Sequence, residues 1–147
     1  MPHRKSESKV ESSASVLEVL DKMRGEASWL LSHAEALSDY GRAEEAAAEW
    51  AQAANCEEQV ACLLDAAGRE SEAVTHRVSA ASCYEQLGQN ARAVTLLRAA
   101  LSTWLPDDYR RRIEQRLAHC LAPTRRELRR MSPRGTRKPT KPMTTVR

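Results

Sequence analysis

Phenylalanine is missing altogether from the 147 residues, aromatics make up 4%, and glycine and proline number only five and six. No window approaches 18 uncharged apolar residues, which excludes a membrane-spanning helix. β-branched residues never alternate with polar ones over a useful length, so strands are not expected. The glycines stand singly and none precedes Lys-Ser or Lys-Thr, which excludes a phosphate loop of the Gly-rich, lysine-ended kind. Cys56, Cys62, Cys83 and Cys120 stand at gaps of 6, 21 and 37. With no C-x-x-C and no paired His–Cys spacing, no zinc site is expected. Met1–Glu11 is polar and lacks the apolar core of a secretion signal, so a cytoplasmic chain with reduced thiols is expected. The cysteines then read as small apolar fillers of helix faces. His119 and Cys120 are adjacent, and adjacent helical residues point in different directions, so they make a poor ligand pair.

Charge is plentiful, at 29% of residues, and unevenly placed. Residues 1–12 carry net +1, residues 13–121 carry 11 basic against 17 acidic side chains, and residues 122–147 carry nine basic against Glu127 alone. An acidic body is therefore followed by a strongly basic tail, and the overall +3 conceals both.

Apolar residues recur at steps of three and four, the period of one helix face. Val16, Leu20, Met23, Ala27, Leu30, Ala34 and Leu37 form the first stripe, with Ser15 and Glu18 spaced as a capping box and Gly41 as a stop. Gly25 lies off the stripe and weakens that helix without ending it. Ala43, Ala46, Trp50, Ala53, Val60, Ala61 and Leu64 form the second stripe, interrupted at Glu57. Asn55-Cys56 offers a turn, so 42–67 is one helix or two; the absence of Pro and Gly favours one. Ala73, Val74, Val78, Ala81 and Tyr84 precede Gly88; Ala93, Leu96, Leu97, Ala100, Leu101 and Trp104 precede Pro106. Pro106-Asp107-Asp108 suits a helix start, and Tyr109, Ile113, Leu117, Cys120 and Leu121 follow it. The expectation is all-α, with antiparallel hairpins stacked as a short solenoid or bundle of five to six helices. Residues 1–13 are expected to be disordered, 14–122 to be the helical domain, and 123–147 to be a flexible tail, extended beyond about 131. Alanine-rich faces let helix axes approach to about 8 Å, and Trp29, Trp50 and Trp104 are expected to fill the gaps between them.

Three stretches share one pattern: Gly41-Arg42-Ala43-Glu44-Glu45-Ala46, Gly68-Arg69-Glu70-Ser71-Glu72-Ala73 and Gly88-Gln89-Asn90-Ala91-Arg92-Ala93. Glycine supplies the sharp turn, and the alanine five residues on sits where the second helix crosses the first. The pattern resembles the tetratricopeptide repeat over roughly 26–121. The third copy matches through Ala81, Tyr84, Gly88, Ala93, Leu97 and Ala100, with Pro106 close to the family's terminal proline. The first matches through Leu30, Ala34, Leu37, Gly41, Ala46, Trp50 and Ala53. The middle copy departs at Arg77, where the family carries an aromatic or apolar group. The glycines are 27 and 20 residues apart, against a regular period of about 34, so the helices between them merge or are trimmed.

The resemblance implies a non-catalytic protein–protein interaction module of the adaptor, chaperone or assembly-factor type, holding a partner's peptide or helix in a groove. Groove positions would be Ser28, Leu31, Glu35, Ser38 and Asp39 on the first helix, and Thr75, Val78, Ser82, Glu85 and Gln86 on the third. They are acidic or neutral, which suits a basic or apolar segment, and they lack the Lys/Asn set that clamps a C-terminal carboxylate. Self-association is a further expectation, since the ends of short arrays tend to pair. No enzyme and no cofactor are expected: His3, His33, His76 and His119 are dispersed, and acidic pairs such as Glu44/Glu45 and Glu57/Glu58 read as solvated helix faces. The alternative function is binding of nucleic acid or another polyanion through Arg125, Arg126, Arg129, Arg130, Arg134, Arg137, Lys138 and Lys141. That segment has no aromatic for base stacking, and it is also suited to the acidic stretch 26–91 of its own body.

Overall fold

The computed structural model describes the backbone of residues 7–132 and the side chains of 14–132. Among these residues six α-helices follow one another: α1 Glu7–Asp39, α2 Ala43–Ala66, α3 Glu70–Gln86, α4 Asn90–Leu101, α5 Asp107–Leu121 and α6 Arg125–Met131. No strand occurs among the described residues. The chain is all-α, and α1 to α5 stack in chain order, each packed chiefly on the helix before and the helix after it.

Three near-identical corners produce that stack. Gly41, Gly68 and Gly88 adopt φ of +74°, +74° and +70°. Each glycine N–H donates three residues back, and the next N–H donates five back: Arg42 to Leu37 O at 2.9 Å, Arg69 to Leu64 O at 2.8 Å, Gln89 to Tyr84 O at 2.8 Å. This is the Schellman closure, which satisfies the last carbonyls of one helix while reversing the chain. The next helix begins two residues after each glycine. Ala46, Ala73 and Ala93, five residues beyond, are 2%, 0% and 0% exposed, so a methyl group occupies each crossing.

The core follows most of the expected stripe positions, although Ala43 and Leu121 are exposed. Leu30, Ala34, Leu37, Ala46, Trp50, Ala53, Val74, Ala81, Tyr84, Ala93, Leu97, Ala100 and Ile113 belong to one buried cluster. Leu20, Val60, Ala61, Leu64 and Ala73 form a second, where α1 meets the end of α2 and the start of α3. The 42–67 region is a single helix, and Asn55 does not break it. Pro106 is the N-cap of α5, with Asp107 and Asp108 in its first turn.

Several expectations are corrected. α1 starts at Glu7, so Ser15 and Glu18 lie inside a helix and do not cap one, and only 1–6 of the expected disordered segment lies outside the described residues. Val16 is exposed because α1, at 33 residues, extends past the 24-residue α2 that covers its stripe. Trp29 and Trp104 are 60% and 83% exposed, leaving Trp50 as the only tryptophan in the core. Trp29 lies on the outer side of α1, stacked on His33 with centroids 4.8 Å apart. Cys56, Cys83 and Cys120 are buried fillers, whereas Cys62 is exposed. Residues 125–131 of the expected tail form α6, closed at its start by the capping box of Thr124 and Glu127.

Candidate functional site

Because each helix reverses the one before, α1, α3 and α5 are brought together along one side of the stack. Arg24 of α1 donates to Glu72 of α3 at 2.9 Å. Toward the far end of α1, Ser38 and Gln86 of α3 line one groove of about 180 Å³, floored by Ala43, Ala46, Ala47 and Trp50 of α2. Of the expected groove positions, Ser28, Glu35, Ser38, Asp39, Thr75 and Gln86 are exposed. Leu31 and Val78 are half-buried against the main core cluster. Ser82 and Glu85 are already engaged: Arg116 of α5 donates to Ser82 Oγ at 2.5 Å and to Glu85 Oε1 at 3.0 Å. The structure therefore joins Ser38 to Gln86 at an open groove, while Arg116 closes the α3–α5 part. Burial raises the Cys120 thiol pKa, and the neighbouring Glu85 pushes it the same way.

The opposite side, α2 and α4 over α3, carries two grooves that sequence reasoning missed. The larger, about 600 Å³, is lined by Asp65, Glu70, Arg77, Ala99, Ser102, Thr103 and Trp104. Arg77 forms an ion pair with Asp65 there. The smaller, about 160 Å³, is lined by Glu58, Tyr84, Arg92, Thr95 and Leu96. Tyr84 donates its hydroxyl to Glu58, and the Arg92 guanidinium sits 5.0 Å from the Tyr84 ring centroid. Burial, aided by the Glu58 carboxylate, pushes the Tyr84 hydroxyl up to about 12. The departure of Arg77 from the family pattern was the signal for the larger groove; nothing in the sequence located Trp104 on its rim.

Between α2 and α3 lies a buried polar cluster. Glu57 is 5% exposed. Its Oε2 is 2.5 Å from His76 Nδ1, and its Oε1 accepts from Ser79 Oγ at 2.9 Å. The serine hydroxyl donates to the carboxylate and not to the imidazole, so the order of a serine–histidine–carboxylate relay is absent here. Three polar groups satisfy one another, as burial of a carboxylate requires. Burial pushes the nearby Cys83 thiol up to about 12, with Glu57 adding to it. Burial likewise raises Cys56, with Glu26 and Glu57 adding to it. Such thiols stay protonated at neutral pH and are poor nucleophiles.

Of the basic candidates, Arg125, Arg126, Arg129 and Arg130 lie on α6, all exposed. None forms an ion pair among the described residues. Hydrogen bonds from the backbone and hydroxyl of Thr124 hold the Glu127 carboxyl below its usual range. Arg134, Arg137, Lys138 and Lys141 lie outside the described residues. No group of three or more His, Cys, Asp or Glu side chains suited to a metal occurs among the described residues. Nor is any described helix long and apolar enough to cross a membrane. Comparison with protein-family models, curated proteins and solved structures finds no match to this chain.

Proposed function

We propose that this protein is a non-catalytic binding module that receives a segment of another protein in the groove between α1 and α3, in the manner of a short array of tetratricopeptide-like hairpins. One observation carries the reading: three corners of the same geometry place small side chains at each crossing, and the resulting stack leaves a groove with Ser38 and Gln86 on its walls and Ala46, Ala47 and Trp50 on its floor. A shallow floor of alanines beside Trp50 admits the backbone of a helix or extended peptide. Glu35 and Asp39 on exposed turns of α1 favour a basic or apolar segment.

Affinity capture with the full chain tests this, run in parallel with the double variant Ser38→Arg/Gln86→Arg and with a chain lacking 123–147. The expected partner is retained by the shortened chain and lost, at least tenfold, by the double variant. Equal capture by both variants overturns the groove.

A second reading rests on α6. Its four arginines are exposed and form no ion pair among the described residues, a form suited to phosphates of nucleic acid or another polyanion. Titration of a short DNA duplex against the full chain at rising salt checks it. Binding by this route weakens steeply with salt, and replacing the four arginines by Gln lowers the salt slope. Absence of binding at low salt ends that reading.

A further inference from the structure

The groove under Trp104 is not used by the proposed function, and its construction points to a ligand. The loop from α4 to α5 is held firmly. Ser102 Oγ donates to Ala99 O at 2.6 Å, and Thr103 Oγ1 donates to Ala100 O at 2.8 Å. The Arg110 guanidinium donates to Leu101 O at 3.2 Å and Thr103 O at 3.1 Å. Leu105 is 6% exposed and anchors the loop, yet Trp104 beside it stands 83% exposed. A fixed loop that holds an indole in water forgoes the burial that ring could gain, which suits a contact residue.

The walls state the chemistry of the contact. Arg77 and Asp65 neutralise each other. Glu70 forms no ion pair among the described residues and leaves a net negative charge. An indole face beside a carboxylate accepts a cation, with guanidinium or ammonium over the ring.

We propose that residues 133–147 of the same chain dock in this groove, setting Arg or Lys side chains over Trp104 and against Glu70. The segment carries Arg134, Arg137, Lys138, Lys141 and Arg147 and no acidic residue. The body it would meet, 13–121, is net −6. Reach is sufficient. From Trp104 the chain runs along α5, whose 15 residues span about 22 Å, and then the seven-residue α6, about 10 Å, while the 15 residues 133–147 extend to about 50 Å. The segment is thereby both shielded from anions and kept out of the α1–α3 groove.

Zero-length carbodiimide cross-linking of the full chain, mapped by mass spectrometry on an equal mixture of ¹⁴N- and ¹⁵N-labelled protein, tests this. The expected products link Lys141, nine residues beyond Ser132, to Glu70 or Asp65 within one chain. They disappear in strong salt, and they fall at least fivefold in Trp104→Ala, which leaves every carboxylate and amine in place. Links spread evenly over acidic residues such as Glu44, Glu45 and Glu18, or links indifferent to Trp104→Ala, overturn the proposal. Links joining the two isotopes assign the segment to a second copy and overturn it as well. Absence of any link at low salt leaves the groove to a separate partner, with the same consequence.

Discussion

The α2–α3 and α3–α4 interfaces share a helix and a corner geometry but are held together differently. Between α2 and α3 lie the Glu57–His76–Ser79 cluster, the Asp65–Arg77 pair and the hydroxyl of Tyr84 on Glu58. α4 instead contributes Ala93, Val94, Leu97 and Ala100 to the core, and its polar link to α3 is Arg92 over Tyr84. Apolar faces of small residues allow close approach but fix the register of two helices weakly. Buried polar partners fix it strongly, because a slip leaves each group unpaired at a cost of about 1–3 kcal/mol. The longer α2 depends on register along its whole length, whereas α4, at 12 residues, is set by its corner and the Arg110-capped loop that follows.

The largest effect is expected at Glu57. Glu57→Ala leaves the His76 imidazole and Ser79 hydroxyl without their carboxylate partner and should destabilise by about 3 kcal/mol, read as a fall in the urea midpoint. The combined change Glu57→Leu, His76→Leu, Ser79→Ala removes all the polar groups together and should recover most of that loss. If the triple variant is as stable as the parent but shows several α2–α3 registers by NMR, the polar cluster specifies register. A triple variant with one sharp register would break the comparison.

At the apolar interface the corresponding probe is size. Ala93 is fully buried at a helix crossing, and Ala93→Leu inserts three carbons where the axes are closest. Overpacking of this kind costs about 2 kcal/mol. Denaturant melts should rank it below Glu57→Ala.

Alkali probes the α2–α3 interface through the proton. Burial shifts Cys83 from 9.0 to about 12, and burial with Glu58 shifts Tyr84 from 10.0 to about 12. Below about pH 8 both groups are protonated in the folded and unfolded chains alike. Above it the unfolded chain releases protons that the folded chain retains, so stability falls progressively as pH rises toward 12. Cys83→Ala should flatten this fall without abolishing it, since Tyr84 acts with the same sign. Urea midpoints at pH 8 and 10.5 measure the difference, and thiol labelling near pH 8 should modify exposed Cys62 well before Cys83.

The corners were legible in the sequence because their cause is local. A glycine at positive φ and an alanine five residues later are read directly from Gly41/Ala46, Gly68/Ala73 and Gly88/Ala93. Helix stripes were legible for the same reason, and the unbroken α2 followed from its lack of Pro and Gly. What failed depended on which surface a side chain meets. Trp29 and Trp104 have the composition of core residues, yet Trp29 turns outward on α1 and Trp104 sits past the end of α4. Ser82 and Glu85 looked open because Arg116, more than 30 residues away in the chain, was needed to close them. The polar clusters left a trace: Glu57 broke an apolar stripe and Arg77 broke a repeat pattern. Neither trace named its partner, because His76 and Asp65 are assigned by the antiparallel register of α2 and α3 and not by spacing along one helix.

The smallest predicted effect asks whether the two corners are interchangeable despite different side chains. The α2–α3 corner has Arg69 bonded to Glu72 at 2.6 Å, with Arg24 on the same carboxylate; hydrogen bonds from both hold the Glu72 carboxyl below its usual range. The α3–α4 corner has Gln89 and Arg92 at the equivalent places and no such carboxylate. Nothing lies within 4 Å of a Cβ built on Gly68 or Gly88, so Gly→Ala at either meets no steric obstacle and only the left-handed backbone opposes it. That strain is about 1 kcal/mol. Gly25 is also unobstructed but helical and exposed, and there the same substitution should stabilise by about 0.5–1 kcal/mol through lost freedom of the unfolded chain. Equal losses at 68 and 88 with a gain at 25 would show that backbone conformation alone sets each turn. A loss at 68 well below that at 88 would show that the Arg24–Glu72–Arg69 bridge carries part of the corner, and would extend the polar character of the α2–α3 interface to its turn.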